Sequence, residues 1–592
     1  MRLQEYWGVG PKTAELLETE LGVERAVGAI ESADVGTLVG AGLSRGRATR
    51  ILRRATGAAG LDTLGTGDAR DVYGDLLELA ARDALTDGAA DRIRVLTPLS
   101  SQAAATDRLD RIDAAREVWS GLDDAGRESV VATFDRYDEV GAGRRAAVEA
   151  ALELRAVGAS EAGPFDRLAD LDADALGDAV DALGAVEGEF GVAGTDEPLA
   201  VGEGADDQLD RLRTQLTSAR RLDDAALDVL ETVRGQGVRS LEEFQSAVIA
   251  YVAEETGVTV SEVRAVAPEE ARDETDFVSA TLRALVAELE GRVADREAVV
   301  AGELRETLDT AGEQIEAAVD AVDELAFDLS LARFAAAHDL TRPTLIDDGL
   351  AVRGARNLFL DGEIQPVSYG VGDHAVSGGA RAADPPSGDR VAVLTGANSG
   401  GKTTLLETLC GVALLASMGL PVPAEAAEVG RFDTIVFHRR HASFNAGVLE
   451  STLRSVVPPL TGEGRALMLV DEFEAITEPG RAADLLNGLV DLTVDRGALG
   501  VFVTHLAEDL APLPETARID GIFAEGLTDD LDLRVDYQPR FGTVGRSTPE
   551  FIVSRLVANA GDRDERAAFR SIAAAVGEEA VQRTLSDAEW QG

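Results

Sequence analysis

The sequence predicts a multidomain chain, all-α through its N-terminal and middle regions and α/β at its C-terminal end. Three observations predict it. The length of 592 residues, at ~100–200 residues per domain, implies roughly three to six domains. Long stretches rich in Ala, Leu, Asp and Arg carry apolar residues at helical spacing. After Pro343 the pattern changes to short β-rich runs alternating with helices, the signature of βαβ units.

Composition narrows the setting. There are 107 acidic against 56 basic residues, a formal charge of −51, whose self-repulsion is screened within ~3 Å at molar salt. This is the composition expected of a halophilic archaeal protein. Lys12 and Lys402 are the only two lysines, so a retained lysine marks a place where arginine does not serve. Cys410 is the only cysteine, which excludes an intramolecular disulfide framework and a cysteine zinc site. The longest uncharged stretch, Thr408 to Ala424, contains Pro421 and Pro423 and falls short of the ~18–20 apolar residues of a membrane span. The N-terminus has no signal pattern. A soluble, cytoplasmic and nucleoid-associated protein is expected, without membrane contact.

In chain order, residues 1–56 hold eight basic and seven acidic residues, net +1, leaving −52 for the other 536. Within them Leu43 to Arg54 (LSRGRATRILRR) carries five arginines and no carboxylate, the surface a polyanion can approach. Residues 57–190 read as amphipathic helices, for example through Val72, Leu76, Leu77, Leu79 and Ala80. Residues 191–267 form a linker, glycine-rich over Gly191 to Asp206, and a helical core. Residues 268–343 lack proline between Pro268 and Pro343 and repeat apolar positions through Leu282, Leu285, Val286 and Leu289, predicting long helices or a coiled pair. In 344–545, Arg390–Leu394, Phe432–Phe437, Leu467–Val470 and Gly500–Val503 read as buried strands. Residues 546–592 return to helix.

The chemistry lies in 344–545. Gly396, Ala397, Asn398, Ser399, Gly400, Gly401, Lys402 and Thr403 satisfy G-x-x-x-x-G-K-[ST], directly after an apolar strand and before a helix, which is the context the P-loop requires. Its glycines let backbone N–H groups curl round a phosphate, Lys402 neutralises β/γ oxygens and the Thr403 hydroxyl ligates Mg²⁺, with Thr404 completing the ATP-binding set. Ala466 to Glu472 is an apolar strand ending in two carboxylates, the Walker B form. Asp471 is expected on Mg²⁺ and Glu472 on the attacking water. A third strand ends in Thr504-His505, one of five histidines, and His505 is placed as a γ-phosphate sensor beside Glu472.

Residues 270–570 resemble the MutS family. The resemblance rests on LAFDLSLARFAAAHDLTRP at 325–343, GANSGGKT at 396–403, GLPVPA at 419–424, LMLVDE at 467–472 and VTH at 503–505. GLPVPA points to the second MutS branch in its archaeal form. The resemblance implies an ABC/MutS-like P-loop NTPase with ATP and Mg²⁺ as cofactors, and aligns Asn398 and Glu450 with family positions. It puts Tyr369 where the family stacks an aromatic on adenine, and makes Phe541 to Ile572 the start of a helical dimerisation extension, hence a homodimer. Two departures stand out. Asn445-Ala446-Gly447 replaces the family's Ser-Thr-Phe, leaving Asn445 or Ser451 to substitute for the trans-acting serine, and Glu474 to Gly480 keeps only the Thr-x-Pro core of the glycine-rich turn.

The N-terminal module resembles a tandem helix-hairpin-helix domain. Trp7-Gly8-Val9-Gly10-Pro11-Lys12-Thr13-Ala14 carries one hairpin, and Val39-Gly40-Ala41-Gly42 repeats it 32 residues later. The expected DNA contacts are Gly8, Gly10, Lys12, Thr13, Gly40, Gly42, Arg45 and Arg47, gripping phosphates through backbone N–H groups and side-chain charge. No Phe-x-Glu mismatch wedge is found, and no nuclease-like domain is expected after residue 592. The expected function is therefore Mg²⁺-dependent ATP hydrolysis coupled to non-specific or structure-selective DNA binding in repair or recombination. Two rivals remain: an SMC-like chromosome-organising ATPase, disfavoured by the missing LSGGQ signature, and an ATP-binding interaction protein without efficient turnover.

Overall fold

The computed structural model describes residues 3–157, 163–186, 199–362, 364–379, 382–396, 401–439, 446–462, 464–472, 479–506, 509–510, 512–527, 533–545, 553–554, 556–557 and 560–576. Two compact units emerge, one formed by Met1–Arg127 with Asp323–Gly592 and the other by Glu128–Val322. This division runs across the expected boundaries: the helical region 57–190 contributes to both units, and residues 1–56 end inside the helix Arg45–Leu61, which is kinked at Gly57.

The second unit is helical throughout its described residues. Leu212, Leu216, Val233, Phe244, Val248, Val252, Phe277, Leu282 and Leu289 form its main core, the 3.6-residue stripes seen in the sequence. Some of its helices begin at side-chain caps: the Asp206 carboxylate accepts from Leu209 N at 2.7 Å, and Thr259 with Glu262 closes a capping box. The proline-free stretch is one continuous helix, Glu274–Ala337, of 64 residues, about 96 Å long at 1.5 Å per residue.

In the first unit, residues 3–61 form the helices Pro11–Glu20, Val23–Glu31, Val35–Gly40 and Arg45–Leu61. Two tight connections carry Gly8 at φ +82° and Gly42 at φ +95°, a left-handed backbone that glycine adopts without a Cβ clash. Leu17, Ile30, Leu38, Ile51 and Leu52 are buried between these helices.

The C-terminal part holds two sheets. The strands are β1 (Thr344–Ile346), β2 (Leu350–Ala355), β3 (Val367–Val371), β4 (Val391–Gly396), β5 (Ala426–Gly430), β6 (Thr434–His438), β7 (Ala466–Val470), β8 (Leu499–Val503), β9 (Ala517–Leu527) and β10 (Leu533–Arg540). A four-stranded sheet runs β1-β5-β2-β3 and a six-stranded sheet runs β10-β9-β4-β8-β7-β6. In the larger sheet β9, β4, β8, β7 and β6 are parallel and β10 is antiparallel to β9. The four strands read from the sequence are all present here, buried on both faces as a parallel sheet requires. Their common direction brings the C-terminal ends of β4, β7 and β8 to one edge, where ligands bind in open α/β sheets.

One connection was not anticipated. Residues 63–66 lie along the free edge of β6: Leu64 pairs in parallel with Ile435, Gly65 N donates to Ile435 O at 3.0 Å and Ile435 N to Thr63 O at 2.7 Å. A Cβ on Gly65 would stand 2.8 Å from Thr434 Cγ2, so glycine permits the approach. The Asp68 carboxylate then accepts from Arg439 N at 2.7 Å. An exposed edge is thereby covered by the chain's own N-terminal part.

Candidate functional site

β4 ends at Gly396, whose φ is +130° and where a Cβ would stand 2.2 Å from Ile522 O. No other residue fits that backbone and space. Ala397, Asn398, Ser399 and Gly400 lie outside the described residues, and the chain resumes at Gly401, the left-handed N-cap of the helix Lys402–Ser417. Lys402 is buried and its Nζ donates to Gly396 O at 2.9 Å, so the ammonium sits across the mouth of the loop.

Thr403 donates its hydroxyl proton to Asp471 Oδ2 at 2.5 Å. Asp471 follows β7 directly and is 2% exposed; its N–H bonds to His438 O at 2.9 Å, which fixes the carboxylate's direction. Glu472 is next, buried and held at φ +42°. A left-handed glutamate costs about 1–2 kcal/mol, and backbone strain of this kind concentrates at functional sites. Glu472 N donates to Val503 O at 3.1 Å, and its Oε1 lies 2.6 Å from His505 Nε2. The strand-end positions expected to converge do converge.

A cavity of about 490 Å³ opens beside these groups, lined by Gly401, Lys402, Thr403, Thr404 and Glu472 together with Asn357, Leu360, Asp361, Ile364, Gln365 and Tyr537. The lining combines charged and hydroxyl groups with apolar side chains and an aromatic ring, which suits a ligand with both charged and flat apolar parts.

Tyr369 is not in this lining. It is fully buried, its hydroxyl donating to Asp520 Oδ2 at 2.8 Å and its ring packed toward Phe541. The expectation that it stacks on a base is therefore corrected: the bond to Asp520 and the packing toward Phe541 hold Tyr369 in the core. The aromatic that reaches the cavity is Tyr537 on β10, against Gly401, where a Cβ would come within 2.8 Å of the ring. Sequence reasoning missed it because β10 carries no motif. Asn357 was missed too; its side-chain amide donates to Glu407 Oε2 at 3.0 Å, on the same helix as Lys402.

Beneath the loop lies a buried polar network. Asp520 Oδ2 accepts from Tyr369 and from Arg518 Nε at 2.9 Å, and Oδ1 accepts from Gly542 N at 3.1 Å. Burial pushes the Asp520 carboxyl up from the usual range, with Arg518 pulling the other way. Thr395 donates to Asp520 O and accepts from Gly545 N at 2.6 Å, so β4, β9 and the Phe541–Gly545 turn are tied together one residue before the P-loop.

Asn445 lies outside the described residues, and the side chains of Ala446, Gly447 and Ser451 are likewise outside them. Glu450 is exposed and pairs with Arg454 at 2.6 Å.

Of the expected N-terminal contacts, Gly8, Gly40, Gly42 and Lys12 are exposed and Gly10 is half-buried. Two others are corrected. Thr13 is buried and its hydroxyl accepts from Arg47 at 2.6 Å, because the N-terminal turn of its helix packs against the Arg45–Leu61 helix. Arg45 is not a free cation, since its guanidinium donates to the buried Asp91 carboxylate at 2.7 Å. Among the described residues no cluster of three or more His, Cys, Asp or Glu could hold a metal ion, and no helix is long and apolar enough to cross a membrane.

No family model matches the chain. Curated proteins do. The DNA-binding protein MutS2 of Pyrococcus furiosus is 44% identical over 235 residues, 39% of this chain and 40% of that protein. The DNA mismatch repair protein MutS 2 of Halobacterium salinarum is 31% identical over 357 residues, 55% of this chain and 38% of that protein. An Endonuclease MutS2 of Thermomicrobium roseum is 28% identical over 384 residues, 59% of this chain and 46% of that protein. The chain thus matches less than half the length of each. These similarities to proteins named MutS2 support a MutS-family member of the second branch.

Proposed function

We propose that the chain is a Mg²⁺-dependent ATPase that couples hydrolysis to non-specific or structure-selective binding of DNA in repair or recombination. The observation that carries the ATPase reading is the convergence of Lys402, the Thr403–Asp471 pair and the Glu472–His505 pair, of which Lys402, Thr403 and Glu472 line one cavity. Thr403 and Asp471 offer two oxygen ligands, 2.5 Å apart, a donor set that suits a hard cation also bound by phosphate rather than enclosed by protein. A Mg²⁺ ion held by Thr403 and Asp471 would supply charge neutralisation for the transferred phosphoryl group.

Lys402 binds the β/γ oxygens, Glu472 orients and polarises the attacking water, and His505, hydrogen-bonded to Glu472, fixes that carboxylate and senses the γ-phosphate. The apolar lining residues Leu360 and Ile364, with Tyr537, take the base. The printed names of the Pyrococcus and Halobacterium relatives, DNA-binding protein and DNA mismatch repair protein, support DNA as the partner. The two hairpins of residues 3–61 supply the contact as a tandem helix-hairpin-helix module. The chain acts as a homodimer through residues 546–592, of which Val553, Val557, Phe569 and Ala573 already cluster.

A second reading, ATP binding without efficient turnover, is favoured by Asn445-Ala446-Gly447 standing where the family has Ser-Thr-Phe. Steady-state ATPase measured on the full chain in molar KCl, with and without duplex DNA, separates the two. Turnover that responds to DNA supports the first reading, and binding of ATP with no phosphate release supports the second.

A further inference from the structure

The five arginines between residues 45 and 54 do not form one patch. At about 100° per residue, Arg47, Arg50 and Arg54 fall within about 60° of one another on their helix, and the centre of the Arg45/Arg53 pair lies about 130° away.

The contacts follow this division. Arg45 is bound by Asp91, which also takes Arg94 at 3.1 Å. Arg53 Nε donates to Arg94 O at 2.7 Å, with its guanidinium 5.1 Å from the Tyr73 ring centroid. The same helix then meets residues 97–98 with no room for side chains: a Cβ on Gly57 would stand 1.9 Å from Thr97 Oγ1, and one on Gly60 would stand 1.9 Å from Pro98 O. This face meets residues 91–98, with Arg45 held by the buried Asp91 although 51% of its side chain stays exposed.

The other face is open and adjoins the first hairpin. Arg47 reaches Thr13 at 2.6 Å, Arg54 lies 5.4 Å from the centroid of Trp7, and Trp7 is 55% exposed. Arg50 and Lys12 are exposed on the same side, and the carboxylate nearest to Arg54, Asp62, is 3.9 Å away and itself largely in solvent.

We propose that the DNA backbone lies on one face, built from the first hairpin (Trp7 to Gly10, with Lys12) and the Arg47–Arg50–Arg54 row, and that Arg45 and Arg53 take no part in it, serving instead to clamp the module to residues 91–98. The proposal rests on the DNA-binding reading above and assigns its surface. Each neutralised phosphate contributes ~0.9 to the slope of log K against log salt, so charge-matched single substitutions distinguish a contact from a clamp.

The experiment is fluorescence anisotropy of a labelled, mismatch-free duplex against the full chain over a KCl series. Arg50→Ala and Arg54→Ala should each flatten the slope by ~0.9 and weaken binding several-fold. Arg45→Ala and Arg53→Gln, which remove the same charge, should leave slope and affinity unchanged while lowering the melting temperature. Slopes that fall equally in all four variants, or only in Arg45→Ala and Arg53→Gln, overturn the assignment. A wild-type chain that fails to bind the duplex at any KCl concentration overturns both the assignment and the DNA reading, whereas binding with the wrong pattern of slopes overturns the assignment alone.

Discussion

Glu472→Gln is isosteric and leaves an amide oxygen within reach of His505, so the left-handed turn after β7 and its bond from Glu472 N to Val503 O should persist. Only the carboxylate's capacity to polarise water is lost. General-base assistance of this kind is worth ~10²–10⁴ in rate, or about 2.7–5.4 kcal/mol at 1.36 kcal/mol per decade. Single-turnover phosphate release should therefore fall by about 10²–10⁴, with ATP affinity within a factor of about three, since the residue acts on the transition state rather than on bound ATP. Because Glu472 and His505 are hydrogen-bonded, His505→Ala added to Glu472→Gln should cost little more than Glu472→Gln alone. Glu472→Gly provides an independent check: it relieves the φ +42° strain, so stability should hold or rise by about 1 kcal/mol while hydrolysis collapses. Undiminished phosphate release in Glu472→Gln, or additive effects of the two substitutions, would refute this reasoning.

Asp520→Ala should cost about 3–5 kcal/mol by stranding the buried Arg518 guanidinium, and the double replacement Arg518→Met with Asp520→Leu should cost less than either single change; additive losses in chemical unfolding would count against the network. With 51 uncompensated negative charges interacting over ~10 Å at 0.1 M salt but ~3 Å at 1 M, the thermal midpoint should rise with KCl; a flat or falling midpoint contradicts the charge argument. The Arg296 hydrogen bond, with that from Leu209 N, holds the Asp206 carboxyl down at about 2. A depressed carboxyl stabilises the fold above its unfolded value of ~3.9 and loses that effect as pH falls toward 2. Asp206→Asn should thus unfold more readily than wild type at neutral pH and equally below pH ~2; a difference that persists at the acid end argues against the pair.

The strand ends of the candidate site were legible because their signal is local. A buried parallel strand is a short apolar run, and a P-loop or a carboxylate pair directly after it can be placed without knowing what packs alongside. The proline-free 268–343 stretch announced helix for the same reason, although nothing in it specified one unbroken helix from Glu274 to Ala337. What the sequence concealed is non-local. That Thr63 to Thr66 covers the edge of β6 depends on residues some 370 positions apart in the chain. Tyr369 on β3 and Tyr537 on β10 lie in different sheets, and which of them reaches the cavity is set by packing that the sequence does not show. The arginine run misled in the same way: residue type indicated one cationic surface, but helical phase and the buried Asp91 decide which arginines are paired within the chain.

The central claim, that the cavity beside Gly401 to Thr404 holds the phosphates of ATP, is tested most directly by equilibrium binding of a fluorescent ATP analogue with Mg²⁺ to the full chain and to Lys402→Ala. Lys402 is one of two lysines in the chain and its ammonium lies across the loop on Gly396 O, so the account predicts saturable binding by the wild type and loss of at least ~100-fold in affinity, about 2.7 kcal/mol, in the variant. Equal affinity for the two proteins would contradict it.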